Sequence, residues 1–399
     1  MPGPASTTVP SVDPIAWSVP LSDIAVDDEI IDAVSEVVAS GWWSTGPRVA
    51  EFEAAFASFV GARHAVAVSS GTAALHLALA ACGCGPGDEV VLPSLNFVAA
   101  ANVVRHAGAK PVLCDIAGAH DLNLDPEDAE AAAGPRAKAI VALHYGGLAC
   151  DMDAVLALAE RRGLAVIEDA AHAPGASYRG RACGTLGHAG CFSFFSNKNL
   201  PIGEGGMVVT DDAALAERVR HLRSHGMTAV SWDRQRGHAA DYDVVARGLN
   251  YRLDEPRAAI GLVQLGRLPA ANAARARLAA HYRERLGGVA GLTVAMSAGT
   301  EVATSAHHLA VVVLPPACTR AELRAALAAR RIQTSVHYPP IHRFSAYRQL
   351  EARPLPRTDE VAERLLTLPL YAHMTEEQVD EVADALIEEL VGRARAADG

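Results

Sequence analysis

Short apolar runs alternate with segments of helical composition from residue 27 onward, and this alternation indicates the fold class. Seven runs have the length and content of strands: residues 64–69, 89–93, 111–116, 139–145, 165–169, 191–195 and 206–210. Ala- and Leu-rich segments of helical length separate most of them. Strands that are apolar on both faces and joined by helices are typical of a mainly parallel sheet covered by helices. We therefore predict a large α/β domain that, with an N-terminal arm, spans residues 1–268.

Two helices are predicted ahead of the first strand. Asp27 can cap a helix that runs to about residue 39, and Pro47 suits the first turn of a second helix that ends at Gly61. Proline is tolerated there because a first-turn N–H has no partner within the helix.

The pattern changes near residue 270. An Ala/Arg-rich helical stretch at 270–286 precedes strand-like runs at 308–315 and 333–338, a helix at 320–331 and an amphipathic helix from about Glu376. This order predicts a smaller α+β domain over residues 269–399, hinged on the connecting helix. Just ahead of it, residues 225–250 show little periodicity and predict an irregular loop over the surface or into a partner.

Charge and composition exclude several classes of protein. Asp and Glu number 46 against 35 Lys and Arg, and a chain of net charge −11 without a basic block lacks the electrostatic footprint of a nucleic-acid binder. Residues 65–87 carry no Asp, Glu, Lys or Arg, but Ser, Gly and Thr interrupt them, which favours a buried strand, turn and helix over a membrane span. The first residues lack the basic and apolar regions of a secretory signal, so we expect a cytoplasmic protein.

No metal site is expected. The seven cysteines are odd in number and scattered through apolar contexts, which indicates reduced packing residues. Cys82 and Cys84 have no second Cys/His pair at zinc-finger spacing. His307 and His308 would point to opposite faces of a strand, so they do not favour a joint site.

An acidic pair and a rare lysine are the first candidates for chemistry. Glu168 and Asp169 end a predicted strand, where open α/β sheets bind ligands, so one carboxylate is expected to point into a site. Lys198, one of three lysines, lies between an aromatic-rich strand and a Gly-rich turn. A lysine in such an apolar setting can have a lowered pKa and form a Schiff base. Position alone fits a surface lysine on a loop equally well.

The run SSGTAALHLAL at residues 69–79 places Ser-Gly-Thr between a strand and a helix. Backbone N–H groups at a helix start bind anions, and Gly71 would let a phosphate approach closely. The same tripeptide is also an ordinary helix cap, so the pattern alone leaves both interpretations open.

Taken together, these segments resemble the DegT/DnrJ/EryC1/StrS family of sugar aminotransferases, pyridoxal-phosphate enzymes of fold-type I, over roughly residues 20–390. The motifs are SGTAALHLAL, LPSLNFVAAANVV, AIVALHYGG, VIEDAAHAPGASY, GCFSFFSNKNLPIGEGGMVVT and GLNYRLDEPRAAIGLVQL. Several motifs in one order are more specific than any single motif. The resemblance implies pyridoxal 5'-phosphate as the cofactor and a homodimer with shared active sites.

The resemblance also implies a role for each matching residue. Lys198 matches the Schiff-base lysine, which later acts as general base and acid, and Asp169 matches the aspartate paired with the pyridine nitrogen. A protonated pyridine nitrogen lets the ring absorb the electrons released when the substrate Cα proton leaves. The remaining matches are Gly71, Thr72 and Ser193 at the phosphate, Phe97 stacked on the ring, His172 near the phenolic oxygen, and Asn250 reaching the phosphate from the neighbouring subunit.

The implied reaction is amino-group transfer. A donor, usually glutamate in this family, would leave its nitrogen on the cofactor, and a keto sugar, nucleotide-linked in the expected case, would accept it. A keto-cyclitol or another antibiotic precursor is a variant. Relatives with histidine at the lysine position resemble dehydratases, so Lys198 argues for transfer. Dehydration or decarboxylation on the same scaffold and a catalytically inactive cofactor-binding regulator remain alternatives.

Candidates for substrate contact lie in less distinctive segments. Residues 334–348 are similar to a family loop that borders the acceptor pocket, and His337 and His342 are the preferred contacts there, with packing or capping as the competing explanation. Further candidates, which a solvated loop or an aromatic anchor would also explain, are Tyr338, Arg343, His225, Trp232, Arg234, Arg236, Trp42 and Trp43.

Overall fold

A seven-stranded sheet forms the centre of the protein. The structure, a computed structural model, describes residues 17–228, 241–295, 299–300, 302–350 and 353–398, with side chains up to residue 393. The strands of this sheet are β1 (His64–Val68), β2 (Glu89–Pro93), β3 (Lys110–Cys114), β4 (Ala137–Leu143), β5 (Ala165–Asp169), β8 (Ala189–Ser193) and β9 (Gly206–Thr210). Their order is β1-β9-β8-β5-β4-β2-β3, and within this sheet only β9 runs antiparallel to its neighbours. The predicted α/β class with a mainly parallel sheet is confirmed.

Helices cover both faces of this sheet. Helix α1 (Asp28–Ser40) packs on the long helix that follows the sheet. The covering helices are α2 (Pro47–Val60), α3 (Gly71–Ala81), α4 (Ala99–His106), α5 (Pro126–Ala132), α6 (Met152–Arg162) and α7 (Ala213–Arg223). Apolar side chains of α2, α5 and α6 pack on one face, and those of α3, α4 and α7 pack on the other. The predicted cap is present, since Asp27 accepts the N–H of Ile30 at 3.3 Å. A short hairpin of β6 (Ser177–Tyr178) and β7 (Arg181–Ala182) lies apart from the sheet.

One long helix links the two parts of the chain. Helix α8 (Glu255–Leu286) has 32 residues and contains Pro269 in its interior. It begins fifteen residues before the predicted start at residue 270. The predicted domain boundary, between residues 268 and 269, therefore lies inside a continuous helix.

The C-terminal part forms a second, smaller sheet. It contains β10 (Thr293–Val294), β11 (Ala310–Val313) and β12 (Leu365–Leu368), all antiparallel, with helices α9 (Arg320–Ala329), α10 (Pro356–Ala362) and α11 (Glu376–Asp398). The strand predicted at 333–338 is wrong. That segment makes a single bridge, Ser335 to Thr367, because the rest of it turns toward the large sheet instead of pairing.

Contacts between the two parts are extensive. Asp115, just after β3, accepts the N–H of Thr358 at 2.7 Å and that of Arg357 at 3.0 Å at the start of α10. Ile341 and Tyr347 pack in the same apolar cluster as α3 and α4. The segment that follows the small sheet is thus anchored on the large one.

Two further findings bear on the exclusions drawn from sequence. Within the described ranges, no helix combines the length and hydrophobicity needed to cross a membrane. The seven cysteines form no disulfide, and five of them are buried.

Candidate active site

A cavity of about 490 Å³ opens where the parallel strands β1, β2, β4, β5 and β8 end. In open parallel sheets the connections diverge at this edge and leave a crevice for a ligand. Seven of the eight residues predicted to contact the cofactor line the cavity, namely Gly71, Thr72, Phe97, Asp169, His172, Ser193 and Lys198. His337, one of the two predicted substrate contacts, lines it as well.

One end of the cavity is shaped for an anion. Helix α3 starts at Gly71, and its cap Ser70 accepts the N–H of Ala73 at 3.1 Å. The two earlier N–H groups, those of Gly71 and Thr72, have no acceptor within the helix, and both residues line the cavity. No acidic residue lies in the first turn of α3. A Cβ at Gly71 would lie 2.7 Å from the Cβ of Ser193, so only glycine keeps this space open. We call Gly71, Thr72 and Ser193 the anion cradle.

Glu168 points away from the cavity. It is fully buried, and its Oε2 accepts the N–H of Gly184 at 2.6 Å and faces Nε2 of His144 at 2.9 Å. Its Oε1 accepts the N–H groups of Leu186 and Gly187, each at 2.7 Å. Glu168 therefore fixes the loop ahead of β8. The sequence predicted that one carboxylate of the pair Glu168 and Asp169 would face the site, and that carboxylate is Asp169.

Asp169 lines the cavity at the last position of β5. Its Oδ1 accepts the N–H of Ala171 at 3.2 Å. Burial raises the pKa of this carboxyl above its ordinary value, while the nearby Lys198 opposes the rise. A cationic partner in the cavity would favour the ionised form.

Lys198 supplies the amine of the site. Removal from water lowers its pKa to about 8, and the charge of Asp169 partly opposes this shift. A larger fraction of the amine is therefore neutral near pH 7 than for an exposed lysine, as the apolar setting in the sequence predicted. A neutral amine is the form that attacks a carbonyl carbon.

His172 and Tyr338 form a polar pair on the cavity wall. Nδ1 of His172 accepts the N–H of Gly146 at 3.3 Å, and burial holds its pKa well below the usual range. The neutral ring therefore carries its hydrogen on Nε2 and donates it to the Tyr338 hydroxyl at 2.9 Å. Tyr338 also contacts Phe97, with ring centroids 5.4 Å apart. Sequence reasoning ranked Tyr338 below its neighbour His337, although both line the cavity.

Asn96 is a cavity residue that sequence reasoning missed. Its side chain is fully buried, and within the described part of the chain neither amide atom has a hydrogen-bond partner. An unpaired buried amide is costly unless a bound molecule satisfies it. Its place directly before Phe97 was the available signal, but an asparagine in a loop is usually an ordinary turn residue.

Two predicted contacts lie outside the cavity of this chain. Asn250 is exposed, and its part as a residue supplied to a neighbouring subunit stays a prediction. His342 has both ring nitrogens engaged, Nδ1 with Ser94 Oγ at 2.7 Å and Nε2 with Asp359 at 3.1 Å. Arg343 pairs with the same Asp359 at 2.8 Å.

Three further candidates within the described residues, Trp42, Trp43 and His225, do not line the cavity either. The indole N–H of Trp42 donates to the Thr45 carbonyl at 3.3 Å, and that of Trp43 donates to the Val38 carbonyl at 3.2 Å. The backbone N–H of His225 bonds to a neighbouring loop segment. Trp232, Arg234 and Arg236 lie outside the described residues.

The residues present fit pyridoxal phosphate. The anion cradle suits its phosphate, the carboxylate of Asp169 suits its pyridinium nitrogen, and the Lys198 amine suits its aldehyde carbon. Two features indicate a site that is built around a bound molecule. One is the open space that a Cβ at Gly71 would fill, and the other is the buried, unpaired amide of Asn96. This fold and this site define the fold-type I class of pyridoxal-phosphate enzymes.

Comparison with known proteins places the chain within that class. It belongs to the DegT/DnrJ/EryC1/StrS aminotransferase family, which matches residues 25–387. The spore coat polysaccharide biosynthesis protein SpsC of Bacillus subtilis is 42% identical over 380 residues, 93% of this chain and 96% of SpsC. The structure of DesV from S. venezuelae is 40% identical, with a TM-score of 0.83 over 91% of this chain and 94% of DesV. That of DesI with its TDP-sugar product is 33% identical, with a TM-score of 0.84 over 96% and 95%.

The protein is thus a pyridoxal-phosphate-dependent aminotransferase of a sugar aminotransferase family. Members of the family use this cofactor, and related structures include forms with pyridoxal phosphate and with pyridoxamine phosphate. The alternative of an inactive regulator is therefore set aside.

Proposed function

We propose that the protein moves an amino group from glutamate to a nucleotide-linked keto sugar in amino-sugar, antibiotic or polysaccharide biosynthesis. The observation that carries the proposal is the single cavity that brings together the Lys198 amine, the Asp169 carboxylate and the anion cradle. The acceptor class is supported by the TDP-sugar product bound to DesI and by the polysaccharide pathway in the name of SpsC.

Lys198 and Asp169 have the chemical properties that amino-group transfer needs. When bound, pyridoxal phosphate supplies an electron-withdrawing ring and the carbon that carries the transferred nitrogen. Asp169 stabilises a proton on the ring nitrogen by charge and hydrogen bonding. The Lys198 amine, with its pKa of about 8, would take the proton from the substrate Cα and deliver it to the cofactor carbon on the other side of the transferred nitrogen.

Other cavity residues bind and orient. The anion cradle holds the phosphate through backbone N–H groups and the Ser193 hydroxyl. Phe97 and His172 line the same cavity and would hold the cofactor ring, Phe97 at its face and His172 near its phenolic oxygen. His337 faces the acceptor, and its Nδ1 is held by Thr367 Oγ1 at 2.9 Å, which fixes the direction of its ring. His342, whose two ring nitrogens are bonded to Ser94 and Asp359 outside the cavity, is not assigned a contact with the acceptor in this proposal.

A homodimer with shared sites is part of the proposal. In this proposal, Asn250 contacts the phosphate of the cofactor that is bound in the neighbouring subunit. The segment ahead of it exposes Tyr242, Val244, Val245 and Leu249, which is a concentration of apolar surface expected at a subunit contact. We further propose that the enzyme acts in the cytoplasm.

The half-reaction with the donor tests the proposal. Protein loaded with pyridoxal phosphate should absorb in the visible region, and glutamate should abolish this absorbance while 2-oxoglutarate is released. Lys198→Ala should lose both responses, whereas Lys138→Ala, an exposed lysine at the amino end of β4, should keep them. If the wild-type protein releases no oxo acid with any amino donor, the proposed transfer is wrong.

The acceptor is then identified with the aminated cofactor form of the enzyme. Keto sugar nucleotides, free keto sugars and keto-cyclitols are each added, and return of the visible absorbance reports transfer. Preference for a nucleotide-linked sugar by tenfold or more in kcat/KM supports the proposal. Preference for a keto-cyclitol would favour the alternative acceptor, and release of water or carbon dioxide without an aminated product would favour dehydration or decarboxylation.

A further inference from the structure

His308 lies against the amine of Lys198. Its Nε2 is 3.4 Å from Lys198 Nζ, and its ring is buried. The ring also packs against that of His172, with centroids 4.5 Å apart and the two planes tilted by 38°. Neither the family match nor the sequence pattern assigns His308 a part in the reaction.

The side chains behind His308 determine which of its nitrogens carries a hydrogen. The Asn199 amide group donates from Nδ2 to the Ala306 carbonyl and to Oδ1 of Asn272, each at 2.8 Å. Asn272 is itself oriented, because its Nδ2 donates to the Pro174 carbonyl at 2.8 Å. Oδ1 of Asn199 is therefore the atom that faces His308 Nδ1, at 3.0 Å.

A carbonyl oxygen can only accept, so Nδ1 of His308 must donate. In a neutral imidazole the other nitrogen then holds a lone pair, and here that lone pair faces Lys198 Nζ. Burial and the neighbouring cations keep the pKa of His308 well below its usual value, so the ring stays neutral. His308 is thus an acceptor, and not a donor, toward the lysine.

We propose that His308 is a positioning residue for Lys198: the chain Pro174–Asn272–Asn199–His308 presents a fixed lone pair that binds and directs the free amine of the lysine. The inference rests on the proposed role of Lys198. An amine held in this way points at one spot in the cavity after it has been displaced from the cofactor, and its protonated form is stabilised by the acceptor.

The scarcity of lysine makes the proposal measurable. Lysine labelled with carbon-13 at Cε yields three signals, from Lys110, Lys138 and Lys198, and the last is assigned by its loss in Lys198→Ala. The Cε shift is followed against pH in the cofactor-free protein and in the protein loaded with pyridoxamine phosphate, in which the Lys198 amine is free. The titratable and charged groups that face His308 and Lys198, which stay the same in the His308 variants, are Asp169, His172, Arg275 and His337.

Two substitutions then separate an acceptor from a purely structural side chain. His308→Leu removes the lone pair and should lower the titration midpoint of Lys198 by about one unit, because an acceptor stabilises the ammonium form. His308→Gln, which can present its amide oxygen, should restore at least half of the shift. Lys110 and Lys138 should titrate as in the wild type in both variants, which serves as the internal control.

Several results would overturn the proposal. A midpoint that is unchanged or raised in His308→Leu would mean that His308 does not accept from Lys198. Failure of both variants to give three dispersed lysine signals would show that His308 is needed for the fold and not for the amine. Because the titration is read without turnover, it can succeed or fail independently of the amino-transfer reaction itself.

Discussion

Gly71 is the residue at which the anion cradle tolerates no side chain. In Gly71→Ala the new Cβ would lie 2.7 Å from Ser193 Cβ, so Ser193 or the start of α3 must shift. We expect the dissociation constant for pyridoxal phosphate to rise tenfold or more, because the phosphate loses well-placed N–H donors. Absorbance titration of the cofactor-free protein measures this. Gly85→Ala, which meets nothing within 4 Å, is the matched control and should bind normally.

Because the amide of Asn96 is unpaired, its replacement should affect the thermal stability of the cofactor-free protein and that of the loaded protein in opposite directions. Asn96→Leu has a similar shape and removes two buried polar atoms without partners, so the cofactor-free protein should keep or raise its Tm. The increase in Tm on adding pyridoxal phosphate and donor should shrink, because the amide no longer bonds to the bound molecule. A fall in Tm of the empty protein would instead assign Asn96 a structural part. Thermal unfolding with and without ligand separates the two.

A candidate site residue could be recognised from the sequence where its immediate neighbours in the chain make it unusual. Asp169 ends an apolar strand, and Lys198 is a rare lysine in an apolar setting, so both stand out along the chain. Asn96 and His308 do not. Their properties depend on partners distant in sequence, such as Asn199 and Asn272 behind His308. No local pattern encodes which nitrogen of a histidine will carry its hydrogen.

At the scale of elements, Asp115 joins the end of β3 to the start of α10. Its Oδ1 accepts the N–H of Thr358 at 2.7 Å and the hydroxyl of the same residue at 2.6 Å. Burial raises its pKa, but the hydrogen bonds from Thr358 and Arg357 outweigh this, so the net pKa is lowered. The carboxylate therefore adds stability above the pKa of the unfolded chain, and this contribution is lost as pH falls through the folded pKa.

Asp115→Asn should show that dependence. At pH 7 we expect a loss of about 2 kcal/mol in the free energy of unfolding, since charge-assisted bonds to buried N–H groups are weakened. The difference from wild type should begin to narrow below about pH 4, where the carboxyl of the unfolded chain takes up a proton, and should disappear below the lowered pKa of the folded carboxyl. Urea unfolding at several pH values measures it. The exposed Glu127→Gln on α5 should change stability little at any pH, and a gap that stays constant with pH would contradict the assignment.

The elements that sequence reasoning misjudged are those whose local pattern competes with long-range packing. Residues 333–338 alternate like a strand, yet His337 and Tyr338 turn into the cavity and only Ser335 pairs. Strand β12 was not predicted, because its four residues follow directly on a helical pattern. The start of α8 was placed too late because Pro269 resembles a helix boundary, although the helix continues through it.

At the scale of the whole molecule, shared sites can be tested with mixed subunits. Lys198→Ala and Asn250→Ala chains should each be strongly impaired alone. If Asn250 acts on the neighbouring site, a mixed dimer holds one site with both native residues, and random mixing should restore roughly a quarter of wild-type activity. Co-expression with two affinity tags, followed by isolation of the mixed dimer, measures this. No recovery in the isolated mixed dimer would show that Asn250 does not act across subunits.

The two-part organisation was predictable in outline but not in its boundary. The change of pattern after residue 270, which predicted a smaller α+β domain, was visible in sequence, and the structure has a large and a small sheet. The sequence did not show that α8 runs continuously across the predicted boundary. Nor did it show that Ile341 and Tyr347 pack in the core of the large sheet, because such packing depends on residues far apart in the chain. A cut between residues 268 and 269 would leave each part with an exposed apolar surface.

The position of the lysines also has a practical consequence. Lys110 starts β3 and Lys138 lies near the start of β4, so both are at the amino ends of parallel strands, and Lys198 is at the opposite edge of the same sheet. A support that reacts with lysine amines would therefore attach the protein through the edge remote from the cavity. Immobilised in this orientation, the protein would present the opening of its cavity to the solution.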